Sequence, residues 1–168
     1  KDGAAACMLL CELADDLKQQ GKTLHDFLDS LYRQFGVYQE SLKTIYMLGS
    51  SGMQRMQQVM DQLRSASPCE LGGQQVIRIR DYLTHQITTA DGSVTVFSGP
   101  TDNLLFFELE TVGHYVAVRP SGTEPKIKFY TFTRADMETG CSVEKTQGIL
   151  NAVMQLIEDD LQRFVDTV

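Results

Sequence analysis

The sequence lacks any run of about 18 or more apolar residues, which removes a membrane-spanning helix from the readings available. It is also short of cations. Lys and Arg number 15 against 22 Asp and Glu, a formal charge of −7. That balance disfavours nucleic acid as a partner, because such binding leans on many Lys and Arg contacts to phosphates. Zinc-finger and CxxC spacings are absent. The four cysteines (Cys7, Cys11, Cys69, Cys141) are expected to be small buried residues of a protein in a reducing cytoplasm. His25, His85 and His114 lie one to a segment and make no metal or triad pattern, so no role is assigned to them. There is no internal repeat and no low-complexity tract. The start, Lys1-Asp2-Gly3, has neither a secretory pattern nor an initiator methionine, and the chain is expected to be a piece of a longer one.

What remains fits a globular chain, with 42% apolar and 22% charged residues over 168 positions. Residues 4–19 read as a helix that begins deeply buried and becomes amphipathic, ending at Gly21. Thr23 with Asp26 is a variant capping box opening a second helix. In it Leu24, Phe27, Leu28, Leu31, Tyr32 and Phe35 recur at helical spacing before Gly36. These two helices should pack on each other or on a shared sheet. From residue 37 the periodicity changes. A strand is expected at 37–48, then a turn whose hydroxyls, Ser50 and Ser51, suit a helix cap. A helix at 53–65 follows, with a stripe of Met53, Met56, Val59, Met60 and Leu63. Further strands are expected near 75–82, 104–110, 114–119 and 126–133, with a turn-rich excursion over 83–103. The last helix, 142–167, carries Leu150, Val153, Met154, Ile157, Leu161, Phe164 and Val165 on one face. Its acids Glu158, Asp159 and Asp160 read as a solvated face. The expected class is α+β, an antiparallel sheet with helices on one face.

One segment carries chemistry. The strand ending at Arg119 runs into Pro120-Ser121-Gly122-Thr123-Glu124-Pro125, and a second strand leaves at Lys126-Ile127-Lys128. Arg119 offers a planar fork of donors suited to a phosphate. Ser121 and Thr123 add hydroxyls. Gly122 permits an unusual backbone conformation and close approach to its amides, which can form an anion-facing nest. Residues 119–128 hold three cations and one acid, a local positive excess in an acidic chain. Spacing alone fits this phosphate site and an ordinary hairpin with a surface ion pair equally well.

The string Arg119-Pro120-Ser121-Gly122-Thr123-Glu124-Pro125-Lys126-Ile127-Lys128 resembles the phosphate-binding loop in the last domain of the α-D-phosphohexomutases, nearest the glucose-phosphate members. Lys1-Asp2-Gly3 with the helix after it resembles the end of that family's third domain. Leu31 to Tyr38 resembles the hinge into the fourth. The resemblance implies residues 1–36 as the helical end of a truncated α/β third domain and 37–168 as a TATA-box-binding-protein-like phosphate-binding domain. It implies that Arg119, Ser121, Gly122 and Thr123 hold the non-reacting phosphate of a phosphosugar, with Lys126 a weaker candidate that can pair with Glu124 instead. Lys1 matches a lysine that contacts substrate or assists proton transfer. Glucose 1-phosphate and glucose 6-phosphate would interconvert through a phosphoserine and a glucose 1,6-bisphosphate intermediate. The serine, the Mg²⁺ site and the sugar-reading loop would sit in missing N-terminal domains, so this segment alone is expected to be inactive. Mannose, glucosamine and pentose phosphate mutases stay open, as does a non-catalytic module that binds a phosphorylated ligand.

Overall fold

Alternation of large apolar and polar residues in closely spaced strands demands one covered and one open sheet face, and the chain folds accordingly. In the computed structural model, which describes residues 2–138 and 140–168, the elements are α1 (Gly3–Gln19), α2 (Leu24–Phe35), β1 (Val37–Tyr46), α3 (Gly52–Ser65), β2 (Glu70–Leu71), β3 (Gln74–Asp81), β4 (Gln86–Thr89), β5 (Val94–Val96), β6 (Leu105–Leu109), β7 (Tyr115–Pro120), β8 (Lys126–Ala135) and α4 (Val143–Thr167). All strand pairings are antiparallel, in the order β1-β8-β7-β6-β3-β4-β5, with the short β2 paired to β3. The expected α+β class is therefore the observed one. The excursion over 83–103 is a small hairpin, β4–β5, turned at Asp91-Gly92, where Gly92 takes a positive φ of 83°.

The core lies between the sheet and α3 with α4. Met56, Val59, Met60 and Leu63 of α3 and Ile157, Leu161 and Val165 of α4 meet Leu105, Phe107, Val116, Val118, Ile127 and Phe129. The α3 stripe is the expected one except for Met53, which is 48% exposed. The acids of α4 do more than face water. Glu158 Oε1 accepts from Ser41 Oγ, its carbonyl accepts from Lys43 Nζ, and Asp160 Oδ2 accepts from Gly72 N at 2.7 Å. Sequence spacing placed them off the apolar stripe, but the helix lies close enough to the sheet for its flanks to reach β1 and the β2–β3 turn.

The helical pair departs most from expectation. The Thr23–Asp26 capping box forms, and α1 packs against α2. Yet Met8, Leu9 and Leu10 are 72%, 65% and 53% exposed, and Leu17 is the sole buried residue of α1. The start of α1 is not buried as predicted, because among the described residues no sheet covers it. Nor are the cysteines. Cys7, Cys11 and Cys69 are exposed, Cys141 is partly so, and all four are free. Cys7 and Cys11 sit on that uncovered helix.

Gly36 alone joins α2 to β1. Its φ is +93°, and a Cβ there would stand 2.9 Å from the Ala135 carbonyl oxygen. Arg134 braces the junction. It donates to the Phe35 carbonyl at the end of α2 (3.4 Å) and to Tyr38 Oη (3.2 Å), and it is paired with Asp136. Beneath it His114 is 6% exposed. Its Nε2 meets the Arg134 carbonyl and its Nδ1 the Gln74 side-chain amide, each at 3.0 Å. His114 is thus a packing histidine.

Two expectations follow. At Gly52 an added Cβ would lie 2.1 Å from the Met47 carbonyl oxygen and 2.9 Å from Pro125 Cβ. Gly52→Ala should therefore lower stability by about 1–3 kcal/mol, the cost of overpacking, read as a shift in the urea midpoint. Burial lowers the pKa of His114 below its ordinary 6.5. The unfolded chain then binds a proton there before the folded chain does, so stability falls as pH drops below 6.5 toward the lowered folded value. His114→Gln should flatten that part of the stability-versus-pH curve.

Candidate functional site

Register decides what the β7–β8 hairpin presents. Val116, Val118, Ile127 and Phe129 are fully buried toward the helices, so the alternate residues point to the open face. Arg119 stands directly opposite Lys128 in the ladder, and Thr44 of β1 lies opposite Lys128 on its other side. Like charges facing each other across an antiparallel pair are unfavourable. Such a local conflict is a departure from what stability alone would select.

The loop is closed by short bonds. Ser121 N donates to the Lys126 carbonyl (2.9 Å), and Lys126 N donates to the Glu124 carbonyl (2.8 Å). Ser121 Oγ accepts from Thr123 N at 3.4 Å and Glu124 N at 3.3 Å, which leaves its own O–H to donate outward. The loop is also pinned from behind: Met47 N donates to the Pro125 carbonyl at 2.8 Å, and the first turn of α3 presses Gly52 against Pro125. A rigid base therefore holds an exposed rim of Gly122, Thr123 and Glu124.

Two sequence expectations need correction here, at Gly122 and Ser51, and Lys126 takes the second of its two alternatives. Gly122 has no positive φ, so the loop does not require its conformational freedom. Nor does packing demand glycine there, since a Cβ would meet nothing within 4 Å. Lys126 is committed elsewhere. Its Nζ lies 2.5 Å from Glu124 Oε2 and 5.4 Å from the Tyr46 ring centre, and the Glu124 hydrogen bond raises its pKa. Ser51 makes no side-chain cap to α3, because its φ of −90° and ψ of 3° are near-helical where a capping hydroxyl needs an extended backbone. Lys1 lies outside the described residues.

Two further residues complete the picture, one counted among the loop's cations and one from outside the segment. Lys128 makes no ion pair among the described residues and replaces Lys126 as the second cation beside Arg119. Its position opposite Arg119 was readable from counting outward from the loop. Asp102, from the segment between β5 and β6, places Oδ2 3.2 Å from Arg119 Nη2. Seventeen positions separate it from Arg119 in the sequence, and no local pattern connects them. The local positive excess is smaller than sequence counting gave. Arg119 nevertheless remains 57% exposed, open to a ligand.

The rim lies on an open surface. The clefts described in the molecule are elsewhere; one of about 500 Å³ lies beside Tyr32, Tyr38, Tyr115 and Phe132, at the junction of α2 with the sheet. Among the described residues, no group of three or more His, Cys, Asp or Glu gathers as a metal site, and no helix is long and apolar enough to cross a membrane.

No family model matches the chain. Curated relatives do. Phosphoglucomutase of Staphylococcus aureus strain MRSA252 is 34% identical over 131 residues, covering 77% of this chain and 23% of that protein. The strain N315 protein of the same name is 35% identical over 130 residues, with the same coverage. The chain thus spans about a quarter of the length of the curated relatives it matches, at their C-terminal part. Among solved structures, the open form of the Paramecium phosphoglucomutase parafusin aligns over 84% of this chain and 23% of its own, at 18% identity and a TM-score of 0.44, a likeness too low to bear on the fold.

Proposed function

From a chain that belongs to the α-D-phosphohexomutases, as a domain from the C-terminal part of a phosphoglucomutase, we propose the following role. Residues 37–168 clamp the phosphate of a glucose phosphate that is not being transferred, and residues 1–36 are the end of the domain before it. The observation that carries this reading is the facing pair Arg119 and Lys128 beside the rim of Ser121, Gly122 and Thr123.

Each part has a task. Arg119 gives charge-assisted, two-point recognition of a dianion. Ser121 O–H and Thr123 O–H donate to the remaining oxygens. Lys128 adds charge without a fixed direction. Lys126 holds the loop through Glu124 instead of the ligand. None of these groups reads the sugar ring. That suits a reaction in which one sugar must be held in two orientations, each presenting a phosphate to the same grip. An open rim completes a binding site only when another surface closes over it, and closure also keeps water from a reactive phosphoenzyme.

The chemistry itself belongs to the complete enzyme. There a phosphoserine would give its phosphoryl group to glucose 1-phosphate, and the glucose 1,6-bisphosphate so formed would turn and return its other phosphoryl group to the serine, leaving glucose 6-phosphate; Mg²⁺, held in another domain, would supply charge stabilisation. No step at this loop runs through the metal, and sugar choice rests on residues outside this segment.

Two measurements test the role. The 168-residue chain, assayed alone with glucose 1-phosphate and Mg²⁺, should produce no glucose 6-phosphate; turnover would place the nucleophile within these residues and overturn the reading. In the complete enzyme, Arg119→Ala should raise the KM for glucose 1-phosphate by on the order of ten- to a hundredfold, since losing a charge-assisted bidentate contact costs roughly 1.5–3 kcal/mol. An unchanged KM would remove Arg119 from the site.

A further inference from the structure

A guanidinium awaiting a phosphate is expected to stand free, but Arg119 is held. Asp102 Oδ2 lies 3.2 Å from its Nη2, while Oδ1 of the same carboxylate accepts from Asn103 N at 2.8 Å. The loop that carries Asp102 is braced on both sides. Thr101 Oγ1 lies 2.8 Å from His85 Nε2, and Asn103 Oδ1 accepts from Arg64 Nη2, whose Nε is paired with Asp81 at 3.1 Å. Main-chain bonds tie it down as well, from Leu104 N to the Asp102 carbonyl (2.9 Å) and from Tyr82 N to the Leu104 carbonyl (3.0 Å). Asp102 is therefore the fixed member of the pair. Arg119, long and more than half exposed, is the member that moves.

We propose that Asp102 is the release element of the phosphate grip: its carboxylate occupies Arg119 when no phosphate is bound and competes with bound phosphate for it. The inference rests on the phosphate-clamping role given above. An exposed ion pair shifts an equilibrium by only a few-fold. Asp102 therefore cannot shut the site, but it lowers affinity by the fraction of time it holds Arg119. That is useful to a grip that must let go. A sugar that turns around between two transfers has to leave the clamp and re-enter it, and a neighbouring carboxylate that recaptures the guanidinium hastens each departure. Lys128, with no acid of its own among the described residues, keeps enough positive charge at the rim for the phosphate to return.

The test titrates the complete enzyme with inorganic phosphate and with glucose 6-phosphate, following the selectively labelled Gly122 and Thr123 amides and the Arg119 Nε–H by NMR. Asp102→Asn preserves the acceptor for Asn103 N and removes the charge. It should tighten binding of both ligands by about two- to sixfold, the inverse of the occupancy an exposed pair imposes, with slower dissociation. Asp102→Glu, which keeps the carboxylate, should stay near the wild-type affinity, and Asp102→Ser should follow Asn. In an Arg119→Ala background the Asn substitution should change nothing. Weaker binding by the Asn variant would make Asp102 a positioning residue and overturn the proposal; unchanged binding would make it a bystander and overturn it equally. Both outcomes leave the clamp itself standing if the wild-type loop responds to phosphate. A wild-type loop that does not respond to tens of millimolar phosphate overturns the clamp and this inference together.

Discussion

The pairing of β7 with β8 is the constraint on which the rest depends. Its register is set by burial, since sliding either strand by one residue would turn Val116, Val118, Ile127 and Phe129 out to solvent. Each of these is fully buried, and exposing one would cost roughly 1.5–3 kcal/mol. The same register sets Arg119 against Lys128. Core packing thus holds together two cations that would otherwise repel, and the candidate site inherits its geometry from buried residues behind it.

The open face of the sheet extends this logic. Tyr115 stacks on Phe132 with ring centres 4.5 Å apart, and Phe106 lies beside Tyr115 and Tyr82. Arg78 and Arg80 share Glu108 on the neighbouring strands, with Arg80 over the Phe106 ring. Along this face the cations are matched with acids or rings. At Lys128 the pattern breaks. A chain with a net charge of −7 needs few such places to bind an anion, because a short-range site is little affected by charge more than a Debye length away.

How much of this was legible in the sequence divides along the range of the interactions. Strands and helices follow from local periodicity, and the capping box at Thr23 and Asp26 is a three-residue signal that forms as read. The loop from Arg119 to Lys128 is contiguous, so its membership was visible in the string itself. What could not be read was who else arrives there. Asp102 comes from a separate segment, and its distance to Arg119 depends on how the β5–β6 connection is braced by His85 and Arg64. The Lys126 pairing with Glu124 was open in the sequence as one of two alternatives; its place over Tyr46 was not, because it depends on side-chain direction. The buried start expected for α1 failed for a simpler reason: its apolar composition states that a cover is needed, and composition does not say that one stands nearby.

The single-residue link at Gly36 has a mechanical consequence. With no slack between the end of α2 and the start of β1, any twist about that glycine is transmitted whole to the helices, as through a rigid lever. An arm of 12 residues is about 18 Å long at the helical rise, so a swing of only about 10° carries its tip some 3 Å. Two things brake such a swing: Tyr32 of α2 packs against the buried cluster of Val37, Val143 and Leu150, and Arg134 donates to the Phe35 carbonyl and to Tyr38 Oη. A turn about that one backbone position would move whatever is fastened to the helical arm relative to the loop from Arg119 to Lys128.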